Sequence, residues 1–112
     1  MAWQQTGDAA LKQVLTLFNH RPTWSQAKPP NQTVTVRAHI RVFGGEEIEL
    51  INAYGANGVA IYIDADSIPV PPEKFDTFTL DGRRYVTGGV HKRYGFNNTL
   101  LYYEVHSRGA DG

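Results

Sequence analysis

Residues 77–86 read Thr77-Phe78-Thr79-Leu80-Asp81-Gly82-Arg83-Arg84-Tyr85-Val86. Short runs rich in β-branched and aromatic residues flank an Asp-Gly pair. Asp-Gly readily takes the positive φ values of a type I′ turn, whose twist matches that of the strands it joins, so the stretch predicts a tight β-hairpin. Toward the C-terminus a second hairpin is expected, pairing Thr87–Tyr94 with Thr99–Ser107 across Gly95-Phe96-Asn97-Asn98. Toward the N-terminus, Val59, Ile61 and Ile63 alternate with Ala60 and Tyr62. Further upstream, Val34, Val36, Ala38, Ile40 and Val42 alternate with Thr35, Arg37, His39 and Arg41, the period-two pattern of a half-buried strand. Several short strands with regular turn signals indicate a mainly β protein, a small antiparallel β-barrel or sandwich.

The remaining segments divide the chain. Residues 8–19 carry the only helical pattern: Leu11, Val14, Leu15 and Phe18 fall on one face, Thr6 or Asp8 can cap the start, and Asn19 with Pro22 stops it. Residues 25–33 (SQAKPPNQT) read as a semi-rigid spacer because Pro29 and Pro30 favour extended geometry. Residues 1–33 are therefore expected to be a helical arm and proline-containing linker. Residues 34–107 are the barrel and 108–112 a frayed tail. Within the barrel, residues 44–58 (GGEEIELINAYGANG) read as a long mobile loop, with a short strand at Ile48, Leu50 and Ile51 as the alternative. Asp64 to Lys74 is a connection kept out of any central strand by Pro69, Pro71 and Pro72.

The chain of 112 residues is one domain's worth. It has no cysteine, which removes disulfides and thiolate metal ligands. Its start does not read as a secretory signal, and nowhere do about 20 consecutive apolar residues occur, so a soluble intracellular protein without a membrane segment is expected. Net charge is zero but unevenly spread. From residue 44 to 81, Glu46, Glu47, Glu49, Asp64, Asp66, Glu73, Asp76 and Asp81 face Lys74 alone, a net of −7. Asp8 against Lys12, Arg21, Lys28, Arg37 and Arg41 makes residues 1–43 +4. Glu104 and Asp111 against Arg83, Arg84, Lys92, Arg93 and Arg108 make residues 82–112 +3. Zero net charge argues against a general nucleic-acid binder. The asymmetry suits a subunit meeting its neighbours head to tail.

No catalytic motif emerges. His20, His39, His91 and His106 lie 15 to 52 residues apart without the spacing that puts two ligands on one face, so no metal site is expected. Asp64 and Asp66 form an i, i+2 pair whose place before a proline-rich loop suits turn chemistry better than metal binding. None of Ser25, Ser67 and Ser107 sits in a nucleophile elbow, and neither Gly88-Gly89 nor Gly44-Gly45 resembles a phosphate loop. No cofactor is expected. Base stacking is a rival reading, because Tyr85, Tyr94, Phe96, Tyr102 and Tyr103 lie near Arg83, Arg84, Lys92 and Arg93. The same aromatics are also ordinary strand and core residues.

Val59 to Val90 reads VAIYIDADSIPVPPEKFDTFTLDGRRYVTGGV. This resembles the signature of the head–tail joining (head-closure, or stopper) proteins of long-tailed bacteriophages, the family typified by that of phage lambda. The matching elements are the strand Ile61-Tyr62-Ile63, the acid-containing Asp66-Ser67-Ile68-Pro69, the strand-opening Asp76, the Asp81-Gly82 turn, the aromatic Tyr85 and the strand it begins. Phe75 stands where the pattern has Gly, so that turn must be built differently here. The resemblance implies a structural virion protein rather than an enzyme. It would form a homo-oligomeric ring, six- or twelve-fold, below the portal or adaptor protein and above the tail terminator or tail tube protein. The ring would close the DNA-filled head and dock the tail, with DNA passing through without sequence-specific contact and with no membrane partner. It would be found at the head–tail junction of the virion, and in host cytoplasm during assembly.

Candidate contacts with subunits or partners are Leu11, Leu15 and Phe18 on the arm, Glu46, Glu47, Glu49 and Tyr54 in the loop, and Arg83, Arg84, Lys92 and Arg93 on the hairpins. The arm and loop are expected to order only in the ring, delaying each surface until its partner arrives. A tail-terminator ring subunit, or a single-stranded nucleic-acid-binding module, are the alternative readings.

Overall fold

The computed structural model describes residues 20–109. The helix expected over 8–19, with Leu11, Leu15 and Phe18, lies outside the described residues. Within them the protein is mainly β, a seven-stranded antiparallel sheet rolled into a half-barrel. The strands are β1 (Thr23–Ser25), β2 (Thr33–Thr35), β3 (Ala38–Val42), β4 (Val59–Asp64), β5 (Thr77–Leu80), β6 (Arg83–Tyr94) and β7 (Leu100–Gly109). Their order is β2-β1-β5-β6-β7-β4-β3.

The Asp-Gly hairpin forms as expected. Asp81 and Gly82 take φ of 52° and 80°, and Leu80 faces Arg83 across the turn. β6 continues unbroken to Tyr94 and pairs with β7 along its length, interrupted by a register shift between Thr87 and Gly89. That bulge moves the inward phase of β6 from Tyr85 and Thr87 to Val90, so both halves of the long strand serve one core.

Four expectations are corrected by the structure. First, residues 25–33 are not a spacer to a separate arm: Gln26 N donates to Gln32 O at 2.8 Å and closes a β1–β2 hairpin. β1 also pairs with β5, which puts Trp24 opposite Phe78 and leaves both fully buried. The body therefore includes residues 20–33 rather than starting at 34, because an indole this size contributes roughly 1.5–3 kcal/mol when removed from water. Second, the alternating run 34–42 is two strands. Its inward phase is as read, with Val36 and Ala38 buried. However, β2 pairs only with β1 at one edge, and β3 only with β4 at the other. The two residues between them cross from edge to edge, which requires the sheet to roll. The crossing is held by Val36 N to Pro22 O (3.0 Å), Ala38 N to His20 O (3.1 Å) and Asp64 N to Arg37 O (3.0 Å). Third, residues 44–58 contain neither a strand nor only loop, but the helix α1 (Ile48–Tyr54). Glu47, Leu50, Ile51 and Tyr54 are its less exposed positions, spaced as one helical face. At the other end of the chain, Arg108 and Gly109 are not frayed but belong to β7, paired with Val86 and Tyr85.

The inner face holds the core: Trp24, Val36, Ala38, Val59, Ile61, Ile63, Phe78, Tyr85, Tyr103 and Val105. The expected proline-rich connection begins with a 3₁₀ turn over Ala65–Ser67. Asp64 caps this turn by accepting from Asp66 N at 3.1 Å, and its other carboxylate oxygen takes the Arg37 guanidinium at 2.8 Å. Turn chemistry accounts for this carboxylate pair.

Candidate functional site

Strand register assembles a band of polar rings on the outer face of the half-barrel. His39 lies opposite Tyr62, Tyr62 opposite Glu104, and Glu104 opposite His91. In the next row Arg41 faces Ala60, Ala60 faces His106, and His106 faces Gly89. His20, bridged to Ala38, stacks on His39 with centroids 5.4 Å apart, and His39 stacks on Tyr62 at 6.2 Å. Tyr102 meets Tyr62 edge-on at 6.0 Å, and His91 lies 5.0 Å from His106. His39, His91 and His106 thus share one sheet face, and His20 joins them by stacking on His39 from beside the β3 edge. Local spacing could not reveal this, because the residues come from different strands. The legible signal was the outward phase of each strand, His39 with Arg41 and Tyr102 with Glu104 and His106.

Glu104 is the anionic centre of the band. Its carboxylate accepts from His106 Nε2 at 2.8 Å and from Arg93 Nε and Nη2 at 3.2 and 3.1 Å. Burial pushes its proton affinity up, but the hydrogen bonds from His106 and Arg93 outweigh that and hold it below the ordinary carboxylate range. His39 is lowered, first by burial and then by the adjacent His20 and Arg41. His20 Nδ1 accepts from Ile40 N at 3.0 Å, which places any single ring proton on Nε2.

One end of this face is closed by α1. Arg41 forms a two-pronged pair with Glu47 (2.6 and 3.0 Å) and also donates to the Tyr62 hydroxyl at 3.0 Å. These bonds raise the Arg41 guanidinium further and lower the Glu47 carboxyl to about 2, with the Gly44 amide adding to the effect. At the far end of α1, Tyr54 packs against Phe43 (6.1 Å) and His106 (6.0 Å). Its ring sits so close over β6 that a Cβ on Gly88 would lie 2.3 Å from Tyr54 Cε1.

The expected contact residues do not form one patch. Glu46 and Glu49 are exposed, while Glu47 is turned into the Arg41 clamp and Tyr54 into the sheet. Arg83 lies on the inner phase of β6 and Arg84 on the outer; likewise Lys92 faces Tyr103 and Arg93 faces Tyr102. Asp66 is exposed in the 3₁₀ turn. Of the aromatics considered for base stacking, Tyr85 and Tyr103 are core residues, 9% and 4% exposed, so the platform loses two members. Tyr94 and Phe96 remain exposed near the β6–β7 tip. Among the described residues, no three His, Asp or Glu side chains converge as a metal-holding group.

The motif residues around Asp76 are more tightly fixed. The buried Asp76 carboxylate accepts from Trp24 Nε1, Ala27 N and Glu73 N, each at 2.9 Å. It thereby ties the β1–β2 hairpin to the proline-rich connection. Immediately before it, Phe75 adopts φ of 77° and leaves its ring 63% exposed beside Lys74 Nζ, 5.2 Å from the ring centre. A bulky residue in the left-handed region is an outlier that the surroundings must enforce. Here Phe75 N donates to Thr87 O and Thr87 N to Asp76 O, locking the turn onto β6.

A scan against protein-family models, a search of curated proteins and a search of solved structures each gave no match to this chain.

Proposed function

We propose that this chain is a structural subunit of a tailed-bacteriophage head–tail junction, a ring protein that closes the filled head and docks the tail. The observation carrying this reading is the backbone at Phe75. The head-closure pattern has Gly immediately before its strand-opening Asp, and this chain takes at that position the left-handed conformation that Gly adopts without cost (φ 77°). A left-handed backbone at this position is one that Gly would also fit, which supports the resemblance where the residue type departs from the pattern. The hub role of Asp76, the type I′ turn at Asp81-Gly82 and the core position of Tyr85 support the same alignment.

On this reading the subunits form a six- or twelve-fold ring beneath a portal or adaptor protein, over a tail terminator or tail tube protein. Exposed Glu46 and Glu49 serve either the channel wall, where they would repel passing DNA, or a basic neighbour. Exposed Phe75, Tyr94 and Phe96 supply apolar anchors for protein contacts. The work of the protein is binding, in the virion.

The test is electron microscopy of a phage lysate in which the codon for Trp3 is a stop. Separate heads and complete, unattached tails are expected, with emptied heads indicating loss of closure. Intact joined particles would overturn the reading. In that event a salt titration of single-stranded DNA binding distinguishes the nucleic-acid alternative, since phosphate-driven affinity falls steeply with salt.

A further inference from the structure

A cavity of about 370 Å³ opens on the outer face of the half-barrel, beside the first half of β6. Tyr54, Phe75, Val86 and Gly88 give it apolar walls, and Lys74 and Arg108 supply its charge. Val86 is on the outer phase of its strand, directly opposite Arg108, and Arg84 lies two residues back on the same face. Arg108 Nη2 donates to Ala53 O at 3.1 Å, which holds the guanidinium beside α1. Among the described residues no carboxylate lines the cavity. In a chain of zero net charge this is a basic, apolar hollow. The other end of α1 is its converse. Ile48 is 62% exposed there, with Glu46 and Glu49 exposed beside it. Ile48 and Tyr54 are about 9 Å apart along the helix. The Tyr54 end sits over β6 and the Ile48 end is drawn toward β3 by the Arg41–Glu47 pair.

We infer that the cavity takes Ile48 of a second copy of this chain, with that copy's Glu46 and Glu49 set against Lys74 and Arg108. Charge complementarity selects this occupant: an exposed isoleucine flanked by carboxylates matches an apolar hollow flanked by cations. Glu47 takes no part, because Arg41 already holds it. Contact between like surfaces is disfavoured. Two Ile48 ends would bring Glu46 and Glu49 against their own counterparts, and two cavities would do the same to Lys74 and Arg108. The contact is therefore heterologous, each copy offering Ile48 to one neighbour and the cavity to another. Such a contact repeats into a ring where the rotation closes and into a filament where it does not. It also gives the outward ring of Phe75, held by a left-handed backbone, an apolar side chain to meet. The inference deepens the ring reading and rests on it for closure into a ring, whereas the pairwise contact follows from the two surfaces alone.

Because the chain has no cysteine, two single-cysteine variants of the full-length protein can report the contact. Ile48→Cys mixed with Val86→Cys should join into a two-chain product with a short bis-maleimide. Asn97→Cys, at the opposite end of β6 and β7, serves as the control partner. The rate with Val86→Cys should exceed the control by at least about tenfold, because association raises the local concentration of the matching thiol. Adding Glu46→Lys and Glu49→Lys to the Ile48→Cys chain should bring the rate down to the control, since like charges then meet across the contact. Adding Lys74→Glu and Arg108→Glu to the Val86→Cys chain as well should restore it, which misfolding could not do. A rate equal to the control, or a charge reversal without effect, would overturn the inference. So would Ile48→Cys chains that join one another as fast as they join Val86→Cys. Those results, obtained beside separated heads and tails in the Trp3-stop lysate, would remove this contact and leave the junction reading standing.

Discussion

Removing the Asp76 carboxylate strands three N–H donors, from Trp24, Ala27 and Glu73, of which the indole lies in the fully buried core. Orphaned buried donors cost more than the bonds themselves contribute, so Asp76→Ala should destabilise the fold by about 2–4 kcal/mol in denaturant titration. A loss below about 1 kcal/mol would mean that water replaces the carboxylate and that Asp76 is not the hub. Phe75 carries the opposite expectation. Its ring is mostly exposed and its backbone is left-handed, so Phe75→Gly relieves strain while giving the unfolded chain more freedom. The net should be a gain of about 0.5–1 kcal/mol, measured by the same titration. If the ring anchors a partner, the stabilised variant should nevertheless join heads to tails less well. The Asp-Gly turn was legible because its chemistry is local, whereas Asp76 was marked only by the resemblance, since two of its three donors come from Trp24 and Ala27, far away in sequence. The φ at Phe75 was not legible, because only the fixed positions of Asp76 and Thr87 impose it.

At the scale of elements, α1 is fastened to the sheet at both ends. At its C-terminal end the Tyr54 ring lies against Gly88, and no side chain fits between them. Gly88→Ala should therefore cost about 1–3 kcal/mol through overpacking. In combination with Tyr54→Ala the two losses should fall well short of additive, as a thermal or denaturant double-mutant cycle can show. At its N-terminal end, Glu47 is lowered from the ordinary 4.5 to about 2, first by the Arg41 hydrogen bonds and then by the Gly44 amide. A depressed carboxyl stabilises the folded form above its ordinary value and loses that contribution as pH falls toward 2. Acid should thus loosen α1 between about pH 4.5 and 2, followed through the amide signals of residues 48–54. Glu47→Gln should leave α1 loosened already at neutral pH and remove that transition. The glycines bounding residues 44–58 suggested a mobile loop, yet the segment is helical because Glu47, Leu50, Ile51 and Tyr54 find a surface to cover.

For the whole molecule, the clamp on Glu47 separates it from its two acidic neighbours. Reversing Glu46 and Glu49 to Lys should preserve the fold, whereas including Glu47 would also break the pair with Arg41. In the proposed ring, the double reversal should impair DNA ejection if these residues line the channel, or particle assembly if they meet a basic neighbour. Normal infectivity, scored by plaque assay, would exclude both. What the sequence by itself determined was the phase of the runs 34–42 and 59–63, the two hairpins and the mainly β class. Side-chain alternation and turn chemistry are local, written within about ten residues. Only the tertiary structure decided that Val34–Val42 is divided between opposite sheet edges, that Trp24 belongs to the core, and that His39, His91 and His106 share a face. Strand pairing runs through backbone N–H and C=O groups that every non-proline residue carries alike. Which strand becomes whose neighbour is therefore settled by the roll of the whole sheet around its core.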